Sequence, residues 1–417
     1  MSVYLNVFMN FSLELVKRLQ QVPENPSRKA RKGSSGLIIR LATAAVAISI
    51  MVMILAIAIV KGYQQQVRNK LIGFNAPIQV THLDLNNSYE SLPIEKDSLY
   101  ETQVKKLKGI TGIHSYCAKA GIIKTNEAFE GILLKGVTGT YNWEFIKEHL
   151  KEGRLLNPDE PTEIVISSIT AKRMKRKLNE KLLVYFIDEP PRIRKFTIVG
   201  IFDTGLSDLD ELYAFCNEPV LRKLNNWPAH FISGYEITIA NPEKVEETSA
   251  EVELITPIDK GVNSVFKRYP QLFDWLELLD MNVLIILLLM LAVAGINMIT
   301  ALLILILERS QMIGLLKALG ARDRQVGRIF LFMALRIVLT GMFWGNLIGI
   351  GLAIIQQQTG IIRLDESAYY LETVPIRLDW IGLFWLNVGS FLSCLLILLL
   401  PARFVSRISP VKTLRFN

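Results

Sequence analysis

The chain has 417 residues, half of them hydrophobic and 21% charged, with a formal net charge of +8 and a mean hydropathy of +0.30. This balance excludes a disordered chain and argues against an ordinary soluble protein, because the apolar residues are gathered into runs. Three cysteines exclude a disulfide framework, and the basic excess comes without a recognition motif, so no nucleic-acid partner is expected.

Residues 1–35 come first, as a cytoplasmic or interfacial segment. Leu5, Phe8, Phe11, Leu15 and Leu19 fall near helical spacing, with Lys17 and Arg18 at the end, the pattern of an amphipathic helix in the inner headgroup layer. Pro23, Pro26 and the Gly-Ser-Ser-Gly stretch from Gly33 to Gly36 predict a loop and a turn. Four apolar runs follow, at 36–60, 281–307, 329–355 and 380–401. Each suits a transmembrane helix, which needs about 20 residues to cross a hydrocarbon core of about 30 Å. The first run is too long and starts too late for a cleaved leader, so it is expected to stay in the mature protein.

Lysine and arginine beside the spans set the orientation. They crowd residues 1–40 (Lys17, Arg18, Arg28, Lys29, Arg31, Lys32, Arg40), the connector 308–328 (Arg309, Lys317, Arg322, Arg324, Arg328) and the tail 402–417 (Arg403, Arg407, Lys412, Arg415). Both termini and the connector are therefore expected in the cytoplasm, leaving residues 61–280 and the short loop 356–379 outside.

The outer segment 61–280 is long enough for its own core. Strand-like pieces fall at 78–81, 114–118, 120–125, 130–135, 182–186, 194–200 and 235–239. Helical pieces fall at 97–107, with Leu99, Val104 and Leu107 on one side, and at 143–150, 168–178 and 242–253. No regular βαβ rhythm emerges, which predicts an α+β domain. Residues 61–71 should continue the first span as a stalk, and a helix over 263–280 should run into the second, with Pro270 starting its rigid part. The expected fold is a membrane protein of four transmembrane α-helices with a large α+β extracytoplasmic domain between helices 1 and 2. Nothing repeats at a fixed period, and the uneven layout argues against an inverted-repeat transporter.

Motifs for chemistry are missing. His82, His114, His149 and His230 lack metal-ligand spacing, and no HExxH, GxSxG or GxxxxGK[ST] sequence occurs, so no catalytic residue, metal or nucleotide site is expected in this chain. Cys117 and Cys216 are either buried free thiols or a pair. Arg336, inside the third span, snorkels or pairs within the bundle rather than relaying protons.

The stretch from Glu308 to Ala321, ERSQMIGLLKALGA, is the most informative. Ile313, Leu316 and Leu319 form an apolar stripe at helical spacing, Arg309 and Lys317 stay polar, and Gly320 supplies a stop. By shape alone this is equally a partner-docking helix or an interfacial connector. The stretch is followed by a basic turn and IFLFMALRIVLTG, and the chain ends with Pro401-Ala402-Arg403 and then SRISPVKTLR from Ser406 to Arg415. These motifs and the layout of one span, a large domain and three spans resemble the FtsX-like permeases. That group contains the LolC/LolE lipoprotein-releasing permeases and the MacB exporters. Residues 163–167, 181–186 and 196–202 are similar to the LolC/LolE outer domain in order and spacing.

The resemblance implies a mechanotransmission ABC permease of the bacterial inner membrane that extracts lipoproteins from the outer leaflet. ATP and Mg would be bound by a separate ATPase. The implied partners are a LolD-like ATPase dimer, a second permease copy or paralogue, lipoprotein cargo, a LolA-like periplasmic carrier and membrane lipids. ATPase coupling would fall to Glu308, Arg309, Ile313, Gly314, Leu316, Lys317, Leu319 and Gly320. A cargo slot would be lined by Met51, Met53, Leu55 and Ile59 on the first span and Met281, Leu284, Ile285 and Leu288 on the second. In LolC a projecting hairpin recruits the carrier; here the corresponding turn is the shorter Asp188, Glu189, Pro190, Pro191 and Arg192, equally a carrier-docking tip or a simple hairpin turn. Two other readings stay open: a MacB-like efflux or peptide-export permease working with an adaptor, and an FtsX-like activator of a cell-wall hydrolase.

Overall fold

The protein is described by a computed structural model covering residues 33–84, 90, 92–125, 128–365 and 369–405. The amphipathic stretch before Gly33 and the closing motif from Ser406 onward lie outside the described residues. The helices are α1 (Gly33–Asn75), α2 (Ser98–Lys106), α3 (Glu144–Glu148), α4 (Ser168–Arg173), α5 (Ser207–Leu212), α6 (Glu218–Leu224), α7 (Val245–Ile255), α8 (Val265–Arg268), α9 (Pro270–Glu308), α10 (Ser310–Ala318), α11 (Asp323–Thr359) and α12 (Trp380–Val405). The strands are β1 (Ile78–His82), β2 (Ile94–Glu95), β3 (Ile110–Lys124), β4 (Phe129–Val137), β5 (Leu150–Gly153), β6 (Glu163–Ser167), β7 (Lys181–Phe186), β8 (Arg192–Phe202), β9 (Tyr213–Asn217), β10 (Phe231–Ile232), β11 (Gly234–Ile239) and β12 (Lys260–Ser264). Contacts divide the chain into a span unit (Met1–Tyr63, Glu277–Ile361, Pro375–Asn417) and a sheet unit (Gln64–Leu276, Ile362–Val374).

In the span unit, α1, α9, α11 and α12 are, among the described residues, the four helices long and apolar enough to cross a membrane. The helix of α1 already starts at Gly33, so the Gly-Ser-Ser-Gly stretch is helical rather than a turn. The apolar run behind it carries the helix back through two glycines, each costing only about 1 kcal/mol. Side chains of α1, α9, α11 and α12 form one core that includes Val46, Ile50, Ile54, Met298, Leu302, Phe330, Ile337 and Leu398. α1 and α11 approach closely at two glycines. A Cβ on Gly341 would sit 2.7 Å from Val46 Cβ, and one on Gly345 would sit 2.7 Å from the Ala47 carbonyl oxygen. Small residues four apart let two helix backbones touch where no hydrophobic effect drives them together. Between α11 and α12, the side-chain amides of Asn346 and Asn387 bond reciprocally at 2.6 and 2.9 Å, which satisfies two polar groups in an apolar setting.

The sheet unit is an α+β domain, and its topology goes beyond the sequence reading. β3 is one strand of 15 residues, not two. β12, missed in sequence, pairs with β1 across Ile78↔Ser264 to His82↔Lys260. Its Val262 and Ser264 are buried, which is why residues 263–264 are strand rather than helix. The chain then forms α8, capped by Ser264 Oγ, breaks at Tyr269 and restarts at Pro270 as α9. Proline fits a first helical position because its missing N–H has no partner there.

The order β12-β1-β11-β3 makes an open sheet, and from β3 the strands continue β4-β9-β6-β8. β7 then pairs with both β8 and β3, closing β3, β4, β9, β6, β8 and β7 into a ring. Closure removes free strand edges. The inner faces supply a core of Cys117, Ile123, Leu134, Ile164, Ile166, Val184, Phe186, Phe196, Ile198 and Cys216. Along β7 the pattern alternates, with Leu182, Val184 and Phe186 buried, as a ring strand requires. On α2 the buried residues are Tyr100 and Val104, whereas Leu99 faces out at 76% exposure. Asp97 caps that helix by accepting from the amides of Leu99 and Tyr100, which fixes its phase.

Candidate functional site

The connector between α9 and α11 is built by local rules. The α9 helix ends at Glu308, Arg309 departs from helical geometry (φ −100°, ψ 14°) and α10 begins at Ser310. Gly320, at φ +94°, ends the motif: its amide donates to Lys317 O at 3.0 Å and the Ala321 amide donates to Leu316 O at 2.9 Å. That pair of bonds is a Schellman cap, whose left-handed residue favours glycine. The chain is then caught by Gln325, whose Oε1 accepts from the Arg322 amide at 2.8 Å.

The phase of α10 differs from the stripe read in sequence. Ile313 is fully buried in the span core, Gly314 is buried and Leu316 is half-buried. The Lys317 ammonium turns inward and pairs with Asp323 at 2.8 Å, its side chain only 8% exposed. The apolar residues that face outward are Leu315 at 57% and Leu319 at 77% exposure, one helical turn apart. Glu308 is exposed and Arg309 half-buried. Leu315 was missed because periodicity gives a helix's stripe but not which edge of it packs.

The eight expected slot residues separate into two environments. Met281, Leu284, Ile285 and Leu288 form an outward face of α9, each at least half exposed. On α1, Met53 is buried in the span core, while Met51, Leu55 and Ile59 are half-buried and Met51 Cα lies against Gly349. Just beyond, Lys61 on α1 and Asp280 on α9 pair at 3.2 Å. The glycine series Gly341, Gly345 and Gly349 was visible in sequence as a four-residue spacing; it accounts for the burial of the α1 face.

In the sheet unit the turn from Asp188 to Arg192 joins β7 to β8. Its two ends are tied down rather than projected. Asp188 accepts from Lys119 at 3.0 Å, and the Arg192 guanidinium donates to Leu224 O at 2.9 Å and Asn226 Oδ1 at 3.0 Å. Glu189, Pro190 and Pro191 remain exposed.

A buried ion pair, unforeseen in sequence, sits in the same unit. Lys135 on β4 and Glu236 on β11 pair at 2.6 Å, with side chains 3% and 2% exposed. Gln79 donates to Glu236 at 2.7 Å, and Lys135 donates to Tyr141 Oη at 3.0 Å. Lys135 also lies over the rings of Tyr116, Tyr141 and Phe215. Burial pulls the Lys135 ammonium below the usual lysine range, and Glu236 opposes that pull. Nearby, Phe74 on α1 packs against Phe145, Phe202, Tyr213 and Phe215.

Cys117 and Cys216 are free and buried. Their register runs Cys117↔Gly136↔Cys216 across three strands. Two strand spacings are roughly 9 to 10 Å, too far for a disulfide. Burial pushes the Cys117 thiol up to about 12 and raises Cys216 as well. Among the described residues no group of His, Cys, Asp and Glu is placed to hold a metal ion.

Comparison with known proteins fits this construction. The family model of the MacB-like periplasmic core domain matches residues 41–255, and that of the FtsX-like permease C-terminal matches residues 284–410. The lipoprotein-releasing system transmembrane protein LolC of Neisseria meningitidis serogroup B is 21% identical over 412 residues, 93% of this chain and 96% of that one. LolC of Buchnera aphidicola subsp. Schizaphis graminum is 23% identical over 395 residues, 91% of this chain and 93% of that one. Among solved structures, the periplasmic region of MacB from Actinobacillus actinomycetemcomitans is similar at 15% identity with a TM-score of 0.34, covering 48% of this chain and 94% of that one. With a MacB-like core domain opening after the first span begins and an FtsX-like permease region closing the sequence, this chain belongs to the FtsX-like, MacB-type ABC transporter permeases and has LolC/LolE proteins among its relatives.

Proposed function

We propose that this chain is a lipoprotein-releasing permease. A separate ATPase dimer docks at the connector in the cytoplasm, and the chain, paired with a second permease, lifts acylated cargo from the outer leaflet of the inner membrane. The observation that carries this is helix length. α1 has 43 residues and α9 has 39, roughly 65 and 58 Å of helix at 1.5 Å per residue, about twice the span of a hydrocarbon core. A rod that outruns the bilayer passes motion from one side to the other without chemistry of its own.

The remaining roles follow. Leu315 and Leu319 are the knob for the ATPase, and the Schellman cap with the Lys317–Asp323 pair keeps that knob from fraying. The α9 face of Met281, Leu284, Ile285 and Leu288 is the acyl-chain side of the slot, since methionine and leucine fit irregular apolar shapes. The exposed Glu189 to Pro191 tip is where a periplasmic carrier would dock. The flanking arginines and lysines favour a cytoplasmic connector and termini.

The test is purification with the partner ATPase from cells expressing lipoproteins. Acylated lipoprotein should co-purify and be released by ATP. An adaptor-dependent soluble peptide as cargo supports the exporter reading instead, and ATP-dependent activation of a cell-wall hydrolase without cargo supports the third.

A further inference from the structure

The segment between α11 and α12 is more than a connecting loop. It leaves α11 at Gly360, which caps the helix at φ 57°, and closes on itself as a small hairpin. Leu364 N–H donates to Glu372 O at 2.9 Å, Val374 N–H donates to Ile362 O at 3.0 Å, and Arg363 bridges to Thr373. Ile362–Val374 belongs to the sheet unit by its contacts, and Leu371 is buried at 3% exposure. Connecting segments ordinarily run over the surface with few fixed contacts; this one is seated.

Lys70, on α1, holds the seat. Its ammonium donates to Tyr370 O at 2.8 Å and to Thr204 O at 2.5 Å. One cation therefore binds three pieces of chain: α1, the turn between β8 and α5, and the hairpin. An ammonium has three donors and no acceptor, so it suits two converging carbonyls. The far side of the seat is equally fixed. Tyr370 Oη donates to Asp208 at 3.3 Å, and Thr204 donates through its amide and hydroxyl to Asp210 at 3.0 and 2.6 Å. Where the chain enters the span unit again, Arg377 N–H donates to Ala58 O at 3.0 Å, and a Cβ on Gly62 would lie 2.7 Å from Pro375 O.

We propose that Ile362–Val374 is a strap that makes a third mechanical link, beside α1 and α9, through which α11 and α12 act on the sheet unit, with Lys70 as its positioning residue. The proposal rests on the mechanotransmission reading above. A loop that only filled space would need neither a buried leucine nor a cation shared with α1, and each residue held in place carries an entropic cost of roughly 1–2 kcal/mol that packing must offset.

The experiment uses the full chain with its partner ATPase in lipid nanodiscs. Nucleotide-dependent change in hydrogen exchange is read over residues 203–212, together with melting temperature. One variant carries slack: about six Gly/Ser residues, a flexible coil, inserted between Ile361 and Ile362 and again between Val374 and Pro375. The seat stays intact in this variant, but tension cannot pass. A second variant is Lys70→Met.

The wild type should change its exchange on ATP addition. The slack variant should keep its melting temperature and its protection at 362–374 while losing at least about fivefold of the nucleotide response, the lower end of ordinary coupling between sites. Lys70→Met should lose both the response and the protection of 362–374. A wild-type response retained by the slack variant, or by Lys70→Met should the insertion not fold, overturns the strap and leaves the permease reading standing. No nucleotide response in the wild type itself overturns both.

Discussion

Between α1 and α11 the contact is made by leaving atoms out, whereas the sheet unit is joined at its centre by charges sealed from water. Gly341 and Gly345 give α1 backbone-level contact; Lys135 and Glu236 give β4 and β11 a directional bond. The difference follows from the surroundings. In lipid, apolar surface has no reason to hide, so shape has to do the joining. In a domain bathed by water, burial already drives collapse, and a paired charge serves to fix which strand lies where. The span unit should therefore tolerate lost polarity and resist added volume, and the sheet unit should do the reverse.

The largest effect is expected at the ion pair. Lys135→Met strands the Glu236 carboxylate in the core and should cost about 3–5 kcal/mol, while the double replacement Lys135→Met with Glu236→Leu should recover much of it. Chemical unfolding followed by near-UV circular dichroism measures both. A double mutant no better than the single would break the comparison.

Next is the pH dependence of the sheet unit. Burial raises Asp210 from 3.8 to about 6, against hydrogen bonds from Thr204 that lower it. The folded state thus holds a proton that the unfolded state releases. Stability from this group is fully present below about pH 4 and is lost as pH rises through about 6, a change of roughly 3 kcal/mol. Asp210→Asn should remove that slope, read as wild type minus variant in melting curves from pH 4 to 7. Parallel curves would show that Asp210 is not the group responsible.

Gly345→Leu is third. It drives a side chain toward the Ala47 carbonyl and should cost about 1–3 kcal/mol, as overpacking does. The loss should appear as weaker α1–α11 association in detergent, with melting of the sheet unit unchanged. The smallest effect on stability is expected from Leu315→Asp with Leu319→Asp, within about 0.5 kcal/mol as for exposed sites. That pair should abolish stimulation of the partner ATPase, and Leu316→Asp should instead perturb the packing of α10. Normal stimulation in the double mutant would remove the docking role of α10.

Much of this architecture can be read from the residue order. Four apolar runs mark four helices, Pro270 marks where α9 starts and Gly320 marks where α10 stops, because each rests on a local rule. What escapes is whatever depends on two distant pieces meeting. Lys135 and Glu236 look like ordinary strand charges until β3, β4 and β11 are set in register. The ring closes only because β7 reaches both β3 and β8, and no spacing in β7 announces that. The outward turn of Leu315 follows from Ile313 and Lys317 packing inward. The seat of Ile362–Val374 depends on Lys70, some 300 positions away. The glycine series in α11 was open to view, and only its partner on α1 was not.

The two thiols held apart by Gly136 have a practical consequence. Cys117 and Cys216 are sealed within the ring and titrate far above neutrality, so they offer little thiolate to an alkylating reagent; Cys394 is buried among the spans. A cysteine introduced at Leu315, Lys61 or Met281 would therefore react against a nearly silent background. The wild-type chain can carry a probe on the exposed edge of α10, at the Lys61–Asp280 pair or on the outward face of α9 without first being stripped of its own sulfur.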